Sequence, residues 1–238
     1  METIAFFEIE DWEKDYIAKA FPQDTLYFSS DKGHDVTDET ILKSTIISTF
    51  IYSQMTAEVL SKFPNLKVIA TRSTGYDHID LAYCKEKNIT IVNVPTYGAH
   101  TVAEHTFALI LALSRKLVRT VNRGKRGDFE LHDLTGFDLA GKTIGVVGAG
   151  KIGDKVIRLS RAFEMNVLLY TRHPEEVAGQ EGIKSVGLDE LYANSDIVTL
   201  HVPHTPETHH IVNKENIQKF KKGSILINTA RGPLVETE

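Results

Sequence analysis

Residues 143–153 read TIGVVGAGKIG, and this stretch decides the fold. The apolar run from Ile144 to Val147 ends in Gly148-x-Gly150-x-x-Gly153 and passes directly into KVIRLSRAF, which reads as a helix. The glycines therefore sit where a strand turns sharply into a helix. In a dinucleotide-binding βαβ unit, Gly148 makes the tight turn and Gly150 leaves room for a pyrophosphate to reach the backbone. Gly153 lets the helix pack closely on the strand. The phosphates then rest on the free N–H groups and the positive end of the helix dipole. A glycine-rich turn without a ligand is the bland alternative, and the flanking strand and helix argue against it.

The 238 residues, 42% of them hydrophobic, suffice for one large or two small domains with real cores. A formal net charge of −5 and the lack of a Lys/Arg-rich block argue against a nucleic-acid surface, and Arg123 to Arg126 reads as a solvated loop. The single cysteine, Cys84, excludes an intrachain disulfide, fits a reducing compartment and reads as helix packing. The opening METIAFFEIEDWEKD lacks the basic start and apolar stretch of a signal peptide. The most apolar run, Phe107 to Leu113, falls short of the ~18 residues a membrane span needs. A cytoplasmic location, with no membrane partner, is the expectation.

Strand patterns occur at Ile4 to Ile9, Thr25 to Ser29, Ser44 to Phe50, Lys67 to Thr71 and Thr90 to Val94. Helical stretches lie between them, with Asp11 as the expected N-cap of the first, Ala57 to Lys62 as another and Asp80 to Lys87 as the last. This alternation predicts a parallel sheet covered on both faces. From His100 to Val121 the sequence predicts one long helix, apolar almost all round at its centre and so buried, bridging two domains. Residues 122–142 show no clear period. A second α/β unit follows, with strands at Ile144 to Val147, Asn166 to Tyr170, Ile183 to Val186, Asp196 to His201 and Ser224 to Asn228. Helices are predicted at Leu188 to Ala193 and Asn213 to Phe220. The fold class is α/β, two Rossmann-like or flavodoxin-like parallel-sheet domains. In a 3-2-1-4-5-6 order the second would lack its last strand and expose the fifth as an edge, which suggests a truncated chain.

Three further stretches, HVPHTPET at 201–208, NTARGP at 228–233 and STGYDHID at 73–80, join the glycine turn and Val102-Ala103-Glu104-His105. Together and in this order they resemble the D-isomer-specific 2-hydroxyacid dehydrogenase family. Tyr97 and GDFELHDLTGFDLAGKTIGVVGAGKIG, residues 127–153, are most similar to its D-lactate dehydrogenase branch. The resemblance implies NAD(P)-dependent reduction of a small 2-keto acid, pyruvate-like or glyoxylate-like, to a D-2-hydroxy acid. Residues 1–99 would form the substrate domain and 100–238 an incomplete dinucleotide domain, with a homodimer for the full-length protein.

The same resemblance implies roles for particular residues. Arg231 would be catalytic, gripping the substrate carboxylate with its planar fork and polarising the ketone, and would also border the cofactor. A capping or salt-bridging arginine is the alternative. Thr74 and Gly75 would donate backbone N–H groups to that carboxylate, unless Gly75 is only a turn former. Tyr97 would line the pocket or simply pack. Cofactor contacts are expected from Gly148, Gly150, Lys151, Ile152, Gly153, Thr171, Arg172, His201, Val202, Pro203, Thr208, Thr229 and Ala230. The family's histidine proton donor and its glutamate fall past the position matching Glu238, so a loss of roughly 10²–10⁴-fold in turnover is expected for this chain. His201, His204, His209 and His210 do not replace them, and without a paired ligand set they predict no metal site. His105 reads as a satisfied buried histidine.

The acid that NAD-binding units place about 20 residues past the glycines is missing, since the run is Tyr170-Thr171-Arg172-His173-Pro174. Arg172 and His173 could accept a 2′-phosphate. The cofactor is therefore NAD(H) or NADP(H), leaning to NADP(H). A cofactor-sensing, corepressor-like regulatory protein on the same scaffold is the reading from another class.

Overall fold

Alternating apolar side chains place a layer of helices on each face of the first sheet. The computed structural model describes residues 1–177 and 179–237, and the chain divides into two compact units, Met1–Tyr97 and Gly98–Glu238. In the first, β1 (Thr3–Phe6), α1 (Asp11–Ala20), β2 (Thr25–Phe28), α2 (Glu39–Leu42) and β3 (Ile46–Thr49) follow one another. Then come α3 (Ala57–Leu60), β4 (Val68–Thr71), α4 (Leu81–Glu86) and β5 (Thr90–Val92). All pairings are parallel, in the order β2-β1-β3-β4-β5. Ile4 and Phe6 pack with Ile9 and Ile17 on one face, while Ala5 and Phe7 join Ile47, Met55, Leu60 and Ile69 on the other. This is the period-2 alternation of a strand covered on both sides. Cys84 is buried in that second cluster, as its helical setting predicted.

The second unit opens with α5 (Ala99–Ser114) and α6 (Leu117–Gly124), then β6 (Thr143–Val147), α7 (Lys151–Ala162) and β7 (Asn166–Tyr170). β8 (Ile183–Ser185), α8 (Leu188–Asn194), β9 (Ile197–Leu200) and β10 (Ile225–Asn228) complete it. Its sheet runs β10-β9-β6-β7-β8, again parallel, with β10 at one edge among the described residues. Ile144 and Val146 face the cluster containing Phe107 and Ile110 of α5 and Val156 and Ile157 of α7. Val147, on the opposite face, packs with Leu191 and Tyr192 of α8. Gly145 shares that face, and a Cβ there would overlap Leu191 Cδ2 and Ser195 Oγ. The glycine is what lets α8 sit so close.

Several local expectations need correction. The single helix from His100 to Val121 is two helices, because Phe137 N–H donates to Ser114 O at 3.1 Å and closes the end of α5. Gly136 permits this approach, since a Cβ would strike the same carbonyl, and Lys116, in the left-handed region at φ 55°, separates α5 from α6. Nor is α5 buried all round. Ala103, Phe107, Ile110 and Ser114 form one buried stripe, while Leu109 and Leu113 are exposed. The N-cap of α1 is Glu10 rather than Asp11, in a capping box with Glu13. The helix expected over Asn213 to Phe220 shrinks to a 3₁₀ turn, Ile217–Lys219. There the Asn213 carboxamide oxygen accepts the N–H groups of Glu215 and Asn216, which diverts backbone donors from a helix. Arg123 is not a loosely solvated side chain: it lies on α6 and makes a two-pronged pair with Asp128 at 2.7 and 2.8 Å. Among the described residues no helix is long and apolar enough to cross a membrane.

Replacing Gly145 by alanine should therefore cost about 1–3 kcal/mol, the usual range for forcing atoms into a packed core. Urea unfolding reads this directly, and an unchanged midpoint would show that α8 adjusts freely.

Candidate functional site

Open parallel sheets build sites where neighbouring strands send their connections to opposite faces, and in the second unit that point lies between β6 and β9. Val147 and Leu200, the last residues of those strands, are register partners. The glycine turn and the chain from His201 onward consequently emerge side by side. Gly148 has φ +100°, and a Cβ would come within 2.7 Å of His201 O and 2.8 Å of Val202 Cγ1. At Gly153 a Cβ would overlap the carbonyl of Gly148, so the first turn of α7 rests on the strand end itself.

Gly150 differs from both. Its backbone, φ −66° and ψ −172°, suits any residue, and a Cβ there would meet nothing within 4 Å. Neither conformation nor a protein neighbour calls for glycine. It is the N-cap of the twelve-residue α7, whose end no side chain caps, so the first-turn N–H groups point outward beside open space. These features fit a pyrophosphate laid across the turn, with Lys151 exposed and Ile152 half-buried next to it.

Around the turn, His201 is mostly enclosed, its Nε2 2.9 Å from Thr199 Oγ1, and burial pushes its imidazole down to about 4. It is neutral at pH 7. Beyond Val202 and Pro203, Thr208 Oγ1 donates to Pro203 O at 2.6 Å and accepts from Thr205 N at 2.8 Å, which fixes a tight turn. At the end of β7, Thr171 Oγ1 accepts His173 N at 3.2 Å, Arg172 is exposed, and His173 pairs with Glu175 at 3.3 Å. No carboxylate stands at residues 170–173.

After β10, the Asn228 carboxamide holds its own loop closed, donating to Arg231 O at 2.8 Å and accepting Ala230 N at 3.0 Å. Thr229 Oγ1 meets Thr106 Oγ1 of α5 at 3.0 Å. Arg231 Nη1 donates to Ala230 O at 2.9 Å. A surface depression of about 550 Å³ gathers Thr101, Val102, His105 and Leu109 of α5 with residues 228–232. His105 is thus exposed in this depression rather than buried, because the buried stripe of α5 runs through Ala103 and Phe107 instead.

In the first unit, the loop after β4 is laced to the end of β5. Thr74 Oγ1 donates to Val94 O at 2.9 Å, and Asn93 Nδ2 donates to Thr74 O at 2.8 Å. The N–H groups of Thr74 and Gly75 donate to nothing among the described residues. Tyr97 is exposed at the end of this unit.

Two residues not singled out in the sequence organise this end of the sheet. Glu8, in the left-handed region at φ 57°, accepts the N–H groups of Phe50, Tyr52 and Ser53 and the Ser53 hydroxyl. Burial works against its charge, but those four donors outweigh burial and hold the carboxyl below its ordinary range. Arg72 spans the strand ends, donating to Phe7 O and Glu8 O at 2.9 Å and Ser48 Oγ at 3.1 Å. The available signal was position, since each is a charged residue just past an apolar strand.

The neutral His201 sets an acid limit on the second unit. Its folded value, about 4, lies below the ordinary 6.5, so an unfolded chain takes up a proton in this window that the folded chain refuses. Its contribution is complete above pH 6.5 and is lost as pH falls toward 4, about 3 kcal/mol in all. Denaturant unfolding at pH 7 and pH 4 should show a drop larger by that amount in the parent than in His201→Gln; equal drops would exclude it.

The model of the D-isomer specific 2-hydroxyacid dehydrogenase NAD binding domain matches residues 107–238, more than half of the chain. A 2-hydroxyacid dehydrogenase homolog of Haemophilus influenzae is 40% identical over 195 residues, 81% of this chain and 59% of the relative. A D-lactate dehydrogenase of Escherichia coli is 37% identical over 73% of this chain and 53% of the relative, so the chain spans little more than half the length of such proteins. The solved D-lactate dehydrogenase of Aquifex aeolicus, complexed with NAD and lactic acid, superposes with a TM-score of 0.94 at 41% identity, covering 98% of this chain and 71% of that one. With the glycine turn, the parallel sheet order and these likenesses in agreement, the chain belongs to the D-isomer-specific 2-hydroxyacid dehydrogenase family.

Proposed function

We propose that this chain carries the cofactor-binding and carboxylate-binding parts of an NAD(P)-dependent D-2-hydroxyacid dehydrogenase acting on a small 2-keto acid, pyruvate-like or glyoxylate-like. The observation that carries the reading is Gly150, a glycine required by neither its backbone nor its protein neighbours, at the uncapped start of α7. The NAD and lactic acid in the Aquifex aeolicus neighbour support the same cofactor and substrate class. When bound, the reduced nicotinamide supplies the hydride. Gly148, Gly150, Lys151, Ile152 and Gly153 would hold the pyrophosphate, and Val202, Pro203, Thr208, Thr229 and Ala230 would border the rest of the dinucleotide.

Arg231 would grip the substrate carboxylate and stabilise charge growing on the ketone oxygen, from a loop that Asn228 already holds rigid. Thr74 and Gly75 offer two uncommitted N–H groups of the kind a carboxylate accepts. Residues 1–99 would then be the substrate domain and 100–238 the dinucleotide domain, with Tyr97 close to the end of the first in sequence. For the cofactor's second phosphate, an exposed Arg172 next to Thr171, with no acidic residue at positions 170–173, supports NADP(H) over NAD(H), while Glu175, paired with His173, is the nearby carboxylate such a phosphate would have to clear. Leu109, Leu113, Leu117, Val118 and Val121 expose an apolar face along α5 and α6, which supports a homodimer with a second copy covering it.

Titrating the chain with NADPH and NADH should give a lower Kd for NADPH. Gly150→Val should keep the unfolding midpoint while weakening both cofactors at least tenfold, about 1.4 kcal/mol. Undiminished binding by that variant would remove the basis of the reading, and a clear NADH preference would remove the NADP(H) part alone. For the dimer, light scattering should report twice the chain mass, falling to one for Val118→Asp; a monomeric parent at tens of micromolar would refute it.

A further inference from the structure

Outside the turn and the arginine loop, the most concentrated set of metal-ligating side chains is the histidine group after β9. His204 Nε2 and His209 Nδ1 face each other at 3.1 Å, and the His209 ring stacks on His210 with centroids 3.8 Å apart. The pairing follows from the backbone. His209 N–H donates to Thr205 O at 2.9 Å, and the Thr208 hydroxyl ties Thr205 to Pro203, so the two histidines stand at either side of one closed turn. His210 N–H donates to Pro233 O at 2.9 Å and anchors the turn to the loop that carries Arg231.

We propose that His204 and His209 form a two-histidine site for a divalent first-row transition cation, with zinc as the type case. Imidazole nitrogens bind zinc at about 2.0–2.1 Å, so two ligands of one ion lie roughly 2.9–3.4 Å apart for ligand angles between square and tetrahedral. The 3.1 Å separation, that of a ring N–H···N hydrogen bond, also falls inside that range, so an ion requires the two rings to tilt off the line between their nitrogens rather than to move apart. Without a cation, one ring nitrogen donates its N–H to the lone pair of the other. To ligate, the donor ring moves that proton to its remote nitrogen by exchange with water, which leaves two lone pairs facing the ion and releases no net proton from the neutral pair. Among the described residues no set of three ligands converges, so water completes the coordination. Imidazole nitrogens without a third protein ligand select zinc, nickel or copper over magnesium or calcium, which require oxygen. An ion there clamps the turn between β9 and the Arg231 loop. This site is independent of the dehydrogenase reading.

Calorimetric titration of the chain with zinc chloride, in a buffer that does not chelate, tests the assignment. One saturable site per chain is expected, absent with magnesium chloride. His204→Ala and His209→Ala should each raise Kd by at least roughly tenfold, while His173→Ala should not. Should either variant fold poorly, ring-nitrogen resonances of the parent provide a second measurement, in which His204 and His209 shift together at stoichiometric zinc. No saturable binding, equal affinity in both variants, or shifts confined to other histidines would overturn the proposal.

Discussion

The close meeting of the ends of β6 and β9 governs the second unit. Gly148 sits against the carbonyl of His201 and the side chain of Val202, and Gly153 sits against the carbonyl of Gly148, so three segments converge where neither glycine could carry a Cβ. Close-packed backbone of this kind has no slack, because each missing Cβ is a volume already occupied by a neighbour. The start of α7 is thereby fixed relative to the strand, and its N–H groups are fixed with it. His201 completes the wall as a neutral ring, since its partial burial removes much of the hydration that a charge would need.

That constraint also explains why the three glycines are not equivalent. Two are demanded by the protein itself, one by positive φ and close approach and one by close approach alone. Gly150 alone is left to an outside demand. A pattern match treats all three alike, whereas the space around each separates the glycines that build the turn from the one that leaves it open.

Legibility in the sequence followed the range of the interactions. Strand positions, parallel pairing and the glycine turn were readable, because alternation and turn chemistry are local. The break at Ser114 was not, since it depends on Gly136 arriving from more than twenty residues away to let Phe137 take a helix carbonyl. Apolar composition suggested that α5 is buried all round, yet Leu109 and Leu113 face outward, and composition carries no information about which side meets a neighbour. Glu8 and Arg72 escaped notice for the same reason: their partners, at residues 48–53 and 7–8, are distant in sequence or belong to the main chain. The His204 and His209 pairing needed the Thr205 to His209 turn to be seen as closed.

Each unit has a switch point in its sheet, and the two are put to opposite use. In the first, the switch lies between β1 and β3, and the N–H groups of Phe50, Tyr52 and Ser53 gather there as they would around an anion. Glu8 already supplies that anion from within the chain, and Arg72 secures the carbonyl behind it. An external carboxylate cannot compete with a tethered one at such a site, because the tethered group has lost its translational freedom in advance. Two uncommitted donors of this unit lie one strand further along, at Thr74 and Gly75. In the second unit no side chain caps α7, and the equivalent donors stay open. The two sheets differ in strand order, β2-β1-β3-β4-β5 against β10-β9-β6-β7-β8, yet each has one switch point, and only the first is closed by its own sequence, through Glu8.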